Sequence, residues 1–332
     1  MNVRSVHWRV WLSVAVVLVW VTTAACGGSS GTSAAAASAP APGATPAPGA
    51  TPAPGAAPGA TMLPVAGMQT LVKASAGQVG TKATLAYRSQ LSDARLSGVL
   101  TLKVAAVPRA DASGYFEGSA VLSNDGGTWR GTVQGLVSAG GAERYSYVEL
   151  KGAGAYAGLT SRGLGFAAEK DAAAALGTAV SWAGAIESVD GSDVPAPTGT
   201  ARVPANWTPV AGTSALVSIG AVWWTFADTS SDPRVTGMVK ANIHGDPARA
   251  DGSTELWARY VLRNDGGRWT TGHLVGARGI DSGEHFVAAS AEGSGDYAGL
   301  TYHVMNHFYE EPGGGMTSDT PIFVAGWIEA AD

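Results

Sequence analysis

The sequence has a single cysteine among 332 residues, Cys26, and this scarcity excludes two kinds of site. An intramolecular disulfide needs two cysteines and a cysteine-based zinc site needs several, so neither forms within the chain. Charged residues are also absent between Arg9 and Lys73. No Gly-Xaa-Ser-Xaa-Gly elbow occurs beyond position 63, and no pair of carboxylates stands out from the scattered acids. The usual signatures of a hydrolase are therefore missing.

The first 25 residues resemble a bacterial lipoprotein signal peptide. Two arginines precede an apolar run from Val10 to Val21, and Thr23-Ala24-Ala25 leads to Cys26, although that family prefers Leu where Thr23 stands. The resemblance implies that Cys26 is lipidated and becomes the new N-terminus. We therefore expect a membrane-anchored lipoprotein on the exported side of the bacterial cell envelope. The alternative is an uncleaved membrane anchor, since Val10 to Ala25 is barely long enough to span a bilayer.

Residues 26–63 are almost entirely Ala, Pro, Gly, Ser and Thr. Such a segment has no large apolar side chains to bury, so we expect a disordered tether between the anchor and a folded part. Removal of Arg4 and Arg9 with the signal takes the formal net charge from −5 to −7. An acidic chain with scattered Lys and Arg lacks the clustered cations that bind phosphates, which excludes nucleic acid as an expected partner.

The remaining sequence is a tandem duplication. Segment 123–129, Ser-Asn-Asp-Gly-Gly-Thr-Trp, recurs at 263–269 as Arg-Asn-Asp-Gly-Gly-Arg-Trp, and segment 152–160 recurs at 293–301. A repeat of roughly 140 residues matches one whole domain and exceeds a solenoid unit. We therefore predict one β-barrel at 64–190, a linker at 191–206 and a second barrel at 207–332.

The repeated motifs predict turns between short strands. Asn-Asp-Gly-Gly favours the positive φ angles of a tight hairpin, and the Ser-Asp-Xaa-Arg segments at 92–95 and 231–234 suggest a turn with a local ion pair. In the run 144–150, Val148 and Leu150 fall on one face while Tyr145 and Tyr147 fall on the other, which is the period of a half-buried strand. The one helical candidate is Glu169 to Leu176, which we interpret as a loop elaboration.

The Gly-Xaa-Gly-Xaa-Tyr-Xaa-Gly-Leu-Thr segments resemble the Gly-Thr-Gly-Xaa-aromatic stretch of the allene oxide cyclase and dirigent families. The match covers about nine residues per copy and departs from the family at Ser161 and Tyr302, where a further Gly is common. The resemblance implies eight-stranded antiparallel barrels, so the expected fold class is all-β with two such barrels. The sequence shows no counterpart of the active-site residues of those families.

Candidate binding residues concentrate in the second copy, which holds all histidines outside the signal. His303 and His307 lie four positions apart on one strand face, about 13 Å by strand rise, too far to share one metal ion. A site would need His273 or His285 from a neighbouring strand, so metal binding stays open. We expect Trp257 and Trp327 to stand at positions where the first copy has the small residues Gly118 and Ala185. The candidate ligand-binding residues are therefore His273, His285, His303, His307, Trp257 and Trp327.

Three functions remain open. The favoured hypothesis is a non-enzymatic, lipid-anchored binding or interaction module that uses no cofactor and takes a small hydrophobic ligand or an envelope protein as partner. The alternative from a different class is a cyclase or isomerase acting on a hydrophobic small molecule in a barrel cavity, which the family resemblance alone suggests. The third is a purely structural envelope protein.

Overall fold

A computed structural model describes residues 62–76, 82–108, 114–137, 143–168, 176–196, 203–245, 254–271, 274–278, 283–310 and 316–331. The expected signal peptide, Cys26 and nearly all of the tether lie outside these ranges. So do His273 and the helical candidate, apart from Leu176.

The first copy is a closed barrel of eight antiparallel strands, each hydrogen-bonded to the next, with β8 returning to pair with β1. Closure leaves no free sheet edge, which suits short strands joined by tight turns. The strands are β1 Leu63–Ala76, β2 Lys82–Leu91, β3 Gly98–Pro108, β4 Gly114–Asn124, β5 Gly127–Val137, β6 Glu143–Gly154, β7 Leu159–Ala168 and β8 Ala179–Ser188.

The second copy is also a closed eight-stranded antiparallel barrel, with one strand in two pieces. The strand that corresponds to β5 is divided into β13 and β14, and both pieces pair with β12 and β15. Its strands are β9 Trp207–Ile219, β10 Trp224–Ser230, β11 Gly237–Gly245, β12 Thr254–Asn264, β13 Gly267–Thr270, β14 Leu274–Arg278, β15 Glu284–Gly295, β16 Leu300–Tyr309 and β17 Ile322–Ala330. The predicted all-β pair of tandem barrels is thus confirmed.

The Asn-Asp-Gly-Gly hairpin belongs to a larger hydrogen-bonded hub. Asn124 donates from Nδ2 to the carbonyls of Arg95 and Ser97, both at 2.9 Å, and its Oδ1 accepts from Gly126 N–H and from the Tyr156 hydroxyl. Arg95 is bound to Asp93 through Nη2 at 2.6 Å, which confirms the predicted ion pair. Since a buried polar group must be paired to avoid a desolvation cost, this hub explains why separated motifs recur together.

The second hub repeats the first in detail. Asn264 donates to the carbonyls of Arg234 and Thr236 and accepts from the Tyr297 hydroxyl at 2.6 Å. Trp269 donates from Nε1 to Arg234 O and stacks on Tyr297, as Trp129 does on Tyr156. The paired tryptophans are fully buried and occupy corresponding positions in the two barrels.

The glycines of the repeated Gly-Tyr segment make room for this tyrosine. A Cβ on Gly152 would overlap the backbone carbonyl of Tyr156, and Gly154 and Gly158 adopt positive φ angles of 70° and 85° in the turn. L-residues with a Cβ rarely adopt such angles. The segment is therefore a turn motif with a structural role in both copies.

The two interiors are filled by different side chains at corresponding positions. Tyr260 and Tyr302 are buried in the second barrel where the first has Ala120 and Ser161. The first barrel fills its interior instead with Trp182, whose indole lies so close to Gly163 that a Cβ there would overlap it. The large interior residues thus lie on different strands in the two copies, and each interior stays packed.

The two barrels pack against each other through corresponding faces, with β1 contacting β9 and β8 contacting β17. This is the geometry of an isologous dimer, realised within one chain. Near the centre, the Tyr145 ring lies 5.9 Å from that of Phe286, its counterpart. Small residues of both copies allow the close approach: Ala66, Ala183, Ala185, Ala211 and Ala325, all buried. We call this surface the inter-barrel interface.

Candidate functional site

A cleft opens along one side of the inter-barrel interface, and it is the best candidate for a ligand site. Its volume is about 470 Å³, within the range that holds a small organic molecule. The first barrel contributes Tyr115, Tyr147 and Arg162, and the second contributes Glu284, His307 and Phe323, with further lining from Gln134, Thr213, Phe308, Tyr309, Pro321 and Ile322. Neither copy forms the cleft alone.

An aromatic and acid–base cluster spans the two barrels in this cleft. The His307 imidazole stacks on the Tyr147 ring with centroids 4.2 Å apart and an interplanar angle of 12°. Its Nε2 is hydrogen-bonded to Glu284 Oε2, which reaches it from the adjacent strand β15. Both side chains are buried, and the hydrogen bond between them compensates for the loss of their contacts with water.

The cleft also contains a cation, the guanidinium group of Arg162. Arg162 binds Glu187 through Nε and Nη2, and its guanidinium carbon lies 4.9 Å from the centroid of the Phe323 ring in the opposite barrel. Burial opposes the charged form of Arg162, but the bond to Glu187 outweighs it and the net pKa is raised. The guanidinium therefore stays charged at any working pH while Glu187 balances its charge.

The tyrosine hydroxyls of the cleft stay protonated. Burial raises the pKa of Tyr147 to about 12, although the nearby Arg162 guanidinium acts in the opposite direction. Burial, together with the hydrogen bond to Glu117, also raises the pKa of Tyr115. Both side chains therefore present neutral hydroxyl groups, suited to hydrogen bonding with a ligand.

His303 and Trp327, two of the predicted binding residues, form a separate stack on the outer face of the second barrel. The Trp327 ring lies between Trp207, at 4.6 Å, and His303, at 4.7 Å. His303 is hydrogen-bonded to Ser290 and Glu329. These contacts satisfy its ring nitrogens within the barrel and leave Trp327 almost fully buried, so the stack packs against the interface and does not line the cleft.

His285 points to the inside of the second barrel, opposite to its neighbour Glu284. Its Nε2 lies 2.9 Å from Glu310 Oε2, and its ring stacks on Phe308 at 4.4 Å. The alternation of side chains along β15 explains why His285 and His307 do not share a site, since they face opposite sides of the sheet. Within the described ranges, no group of three potential metal ligands comes together.

The remaining predicted residues cannot be placed as side chains. Cys26 and His273 lie outside the described ranges, and only the backbone of Trp257 is described, within β12. In the first copy, Gly118 pairs with Val104. The counterpart of Val104 in the second copy is Ile243, and Ile243 pairs with Ala258, so Ala258 corresponds to Gly118. Trp257 is one residue earlier and pairs with His244. Trp257 therefore corresponds to Glu117, and the expected match with Gly118 is corrected by one residue.

A larger depression, of about 610 Å³, lies on the outer face of the first barrel. Its charged lining residues are Lys82, Lys103 and Glu117, whose side chains lie on the outer face of strands β2 to β4, and the two lysines are exposed. No buried ionisable side chain is among its described lining residues. We favour the smaller cleft because buried polar groups from both barrels converge there.

Asp228 is a further buried ionisable group that was not predicted from the sequence. Asp228 lies inside the second barrel, where it is hydrogen-bonded to Ser214 and has its Oδ2 3.4 Å from the Tyr260 hydroxyl. Burial raises its pKa to about 6. The corresponding residue of the first barrel is Ser89, so the charge belongs to one copy only. Its position on the inward face of β10 distinguishes it from the surface acids.

Comparison with protein-family models, curated proteins and solved structures found no match to this chain. Over the part of the chain that the structure describes, none of the helices has the length and apolar character needed to cross a bilayer.

Tyr147, Arg162 and Phe323 are among the cleft residues that sequence reasoning missed. Tyr147 was placed on the face of β6 opposite to the core, and the structure bears this out. That face becomes a binding wall because a second barrel covers it. Arg162 and Phe323 carry no local signal, since their meeting depends on how the barrels dock.

Proposed function

We propose that this chain is a lipid-anchored protein of the bacterial cell envelope that acts as a non-enzymatic binding module and holds a small ligand in the cleft between its two barrels. The observation that carries the proposal is the cleft itself, where Tyr147 and Arg162 of one copy meet Glu284 and His307 of the other. Both barrel interiors hold contiguous clusters of large buried side chains, so the binding surface lies between the barrels.

The chemistry of the cleft favours a neutral or zwitterionic ligand with a planar apolar part. Arg162 is paired with Glu187 and His307 with Glu284, so a strongly charged ligand would have to break an existing pair. The half-buried ring of Tyr147 offers aromatic contact, Phe323 lines the cleft beside it, and the neutral tyrosine hydroxyls offer polar contacts.

The proposed location in the cell envelope rests on the sequence before the barrels. A basic start, an apolar run and a small-residue approach to Cys26 support lipidation, and the uncharged segment that follows supports a tether. The proposed kinship with the allene oxide cyclase and dirigent barrels rests on the Gly-Xaa-Gly-Xaa-Tyr segments. These connect β6 to β7 and β15 to β16 in the two copies.

A thermal-shift screen of small aromatic compounds tests the binding function, with one variant that blocks the cleft. Thr213→Trp places a bulky ring at an exposed lining position without touching either charged pair. Met68→Trp is the matched control, because Met68 occupies the corresponding position of β1. We expect compounds that stabilise the natural chain and the control but not Thr213→Trp. Stabilisation that survives in Thr213→Trp would place binding elsewhere.

A further inference from the structure

The hairpin between β9 and β10 ends in an exposed apolar turn, residues 217–223, which we call the β9–β10 tip. The turn is closed by Gly220 N–H donating to Trp223 O at 2.9 Å. Four large apolar side chains at this tip are exposed, by 56% for Val217, 55% for Ile219, 57% for Val222 and 36% for Trp223. Single exposed apolar residues are ordinary, whereas four on one turn mark an interaction surface.

The hairpin that carries the tip has one charged residue, Asp228, which is buried inside the barrel. No Asp, Glu, Lys or Arg occurs from Val203 to Ala227, whereas the corresponding hairpin of the first barrel carries Lys73, Lys82 and Arg88. Among the described residues of the neighbouring strand β11, the exposed cation is Lys240, which pairs in register with Thr225. A partner that relied on ionic contacts would gain nothing from the tip itself. An apolar turn with an outward Trp and a lysine set back from it suits the interfacial zone of a bilayer.

The chain before the barrels brings a bilayer within reach of the tip. The apolar run from Val10 to Ala25 and the proposed lipid at Cys26 both put membrane attachment about 36 residues before Met62. A chain of that length spans from about 33 Å when coiled to about 110 Å in the polyproline conformation. Attachment of this kind makes weak secondary contacts with the same membrane effectively intramolecular.

We propose that the β9–β10 tip inserts into the headgroup region of the membrane that holds the chain, and so fixes the orientation of the barrels on its surface. The occupant is the lipid bilayer. This role is distinct from ligand binding in the inter-barrel cleft, and it uses residues that do not line that cleft.

The test uses the full chain coupled through Cys26, its one thiol, to a maleimide lipid in phosphatidylcholine vesicles. Attachment is then built in, whether or not the cell lipidates Cys26. An environment-sensitive fluorescent amino acid replaces Val222 in one variant and Val189 in the other. Val189 is the matched control because it is a 70% exposed valine in a turn of the first barrel. Quenching by spin-labelled lipid is the readout.

We expect quenching of the label at 222 to exceed that at 189 several-fold, and Trp223→Asp in the same chain to remove most of the difference. Equal quenching at both positions would overturn the proposal. A label at 222 that is shielded from water but not quenched by lipid would overturn it too, since a protein surface would then cover the tip. Circular dichroism of each variant checks that the barrels remain folded.

Discussion

The buried carboxyl of Asp228 makes a sharp prediction about pH. Its pKa is raised from 3.8 to about 6 by burial, so the folded chain retains this proton to higher pH than the unfolded chain does. The free energy of unfolding therefore decreases as pH rises from about 4 to about 6. A difference of about 2 pKa units corresponds to about 3 kcal/mol of stability that is present below this window and lost above it.

Asp228→Asn removes the ionisation while keeping the shape and a carbonyl oxygen for Ser214 and Tyr260. We expect the variant to match the natural chain near pH 4 and to exceed it by about 3 kcal/mol at pH 7. Urea unfolding at several pH values, followed by tryptophan fluorescence, measures the difference. Asp265→Asn is the control, because Asp265 is an exposed acid in a hairpin turn of the same barrel. An Asp228→Asn variant with the same pH dependence as the natural chain would refute the assignment.

Other substitutions probe the hubs, the packing and the cleft. Asn124→Ala and Asn264→Ala should each cost about 3 kcal/mol in urea unfolding, because each removes several partly buried hydrogen bonds. A loss below about 1 kcal/mol would show that the hubs are dispensable. Gly163→Ala should destabilise the first barrel by more than about 2 kcal/mol through overlap with Trp182, whereas Gly158→Ala, with open space but a positive φ, should cost about 1 kcal/mol. His307→Phe, which introduces the residue found at Phe166, keeps the stack on Tyr147 but should cost about 1 to 2 kcal/mol by removing the bond to Glu284; unchanged stability would contradict the buried pair.

Much of the fold follows from local patterns that the duplication makes visible. Two-residue alternation placed Val148 and Leu150 inside and Tyr147 outside, and the Asn-Asp-Gly-Gly tracts placed two hairpins. These features depend on neighbours in sequence and on backbone angles, which local residue types determine. The hubs went unrecognised, although Asn124 and Tyr156 lie in motifs that recur, because their hydrogen bond joins residues 32 positions apart.

The candidate site depended on information that local patterns do not carry. The sequence groups the histidines because they share one copy, yet alternation along β15 sends His285 inward. Among the histidines whose side chains the structure describes, only His307 reaches the cleft. Its partner Tyr147 belongs to the other copy, 160 positions away, and is brought there by the docking of two barrel faces. That docking depends on small residues such as Ala66 and Ala211, which have no signature of their own.

The central claim is that the cleft between the two copies is where this protein binds its ligand. A crystal structure of the chain with the strongest compound from the thermal-shift screen tests it most directly. We predict density for that compound against Tyr147 and Phe323, within reach of Arg162 and His307. Density inside either barrel, or in the outer-face depression beside Lys82 and Lys103, would contradict the claim.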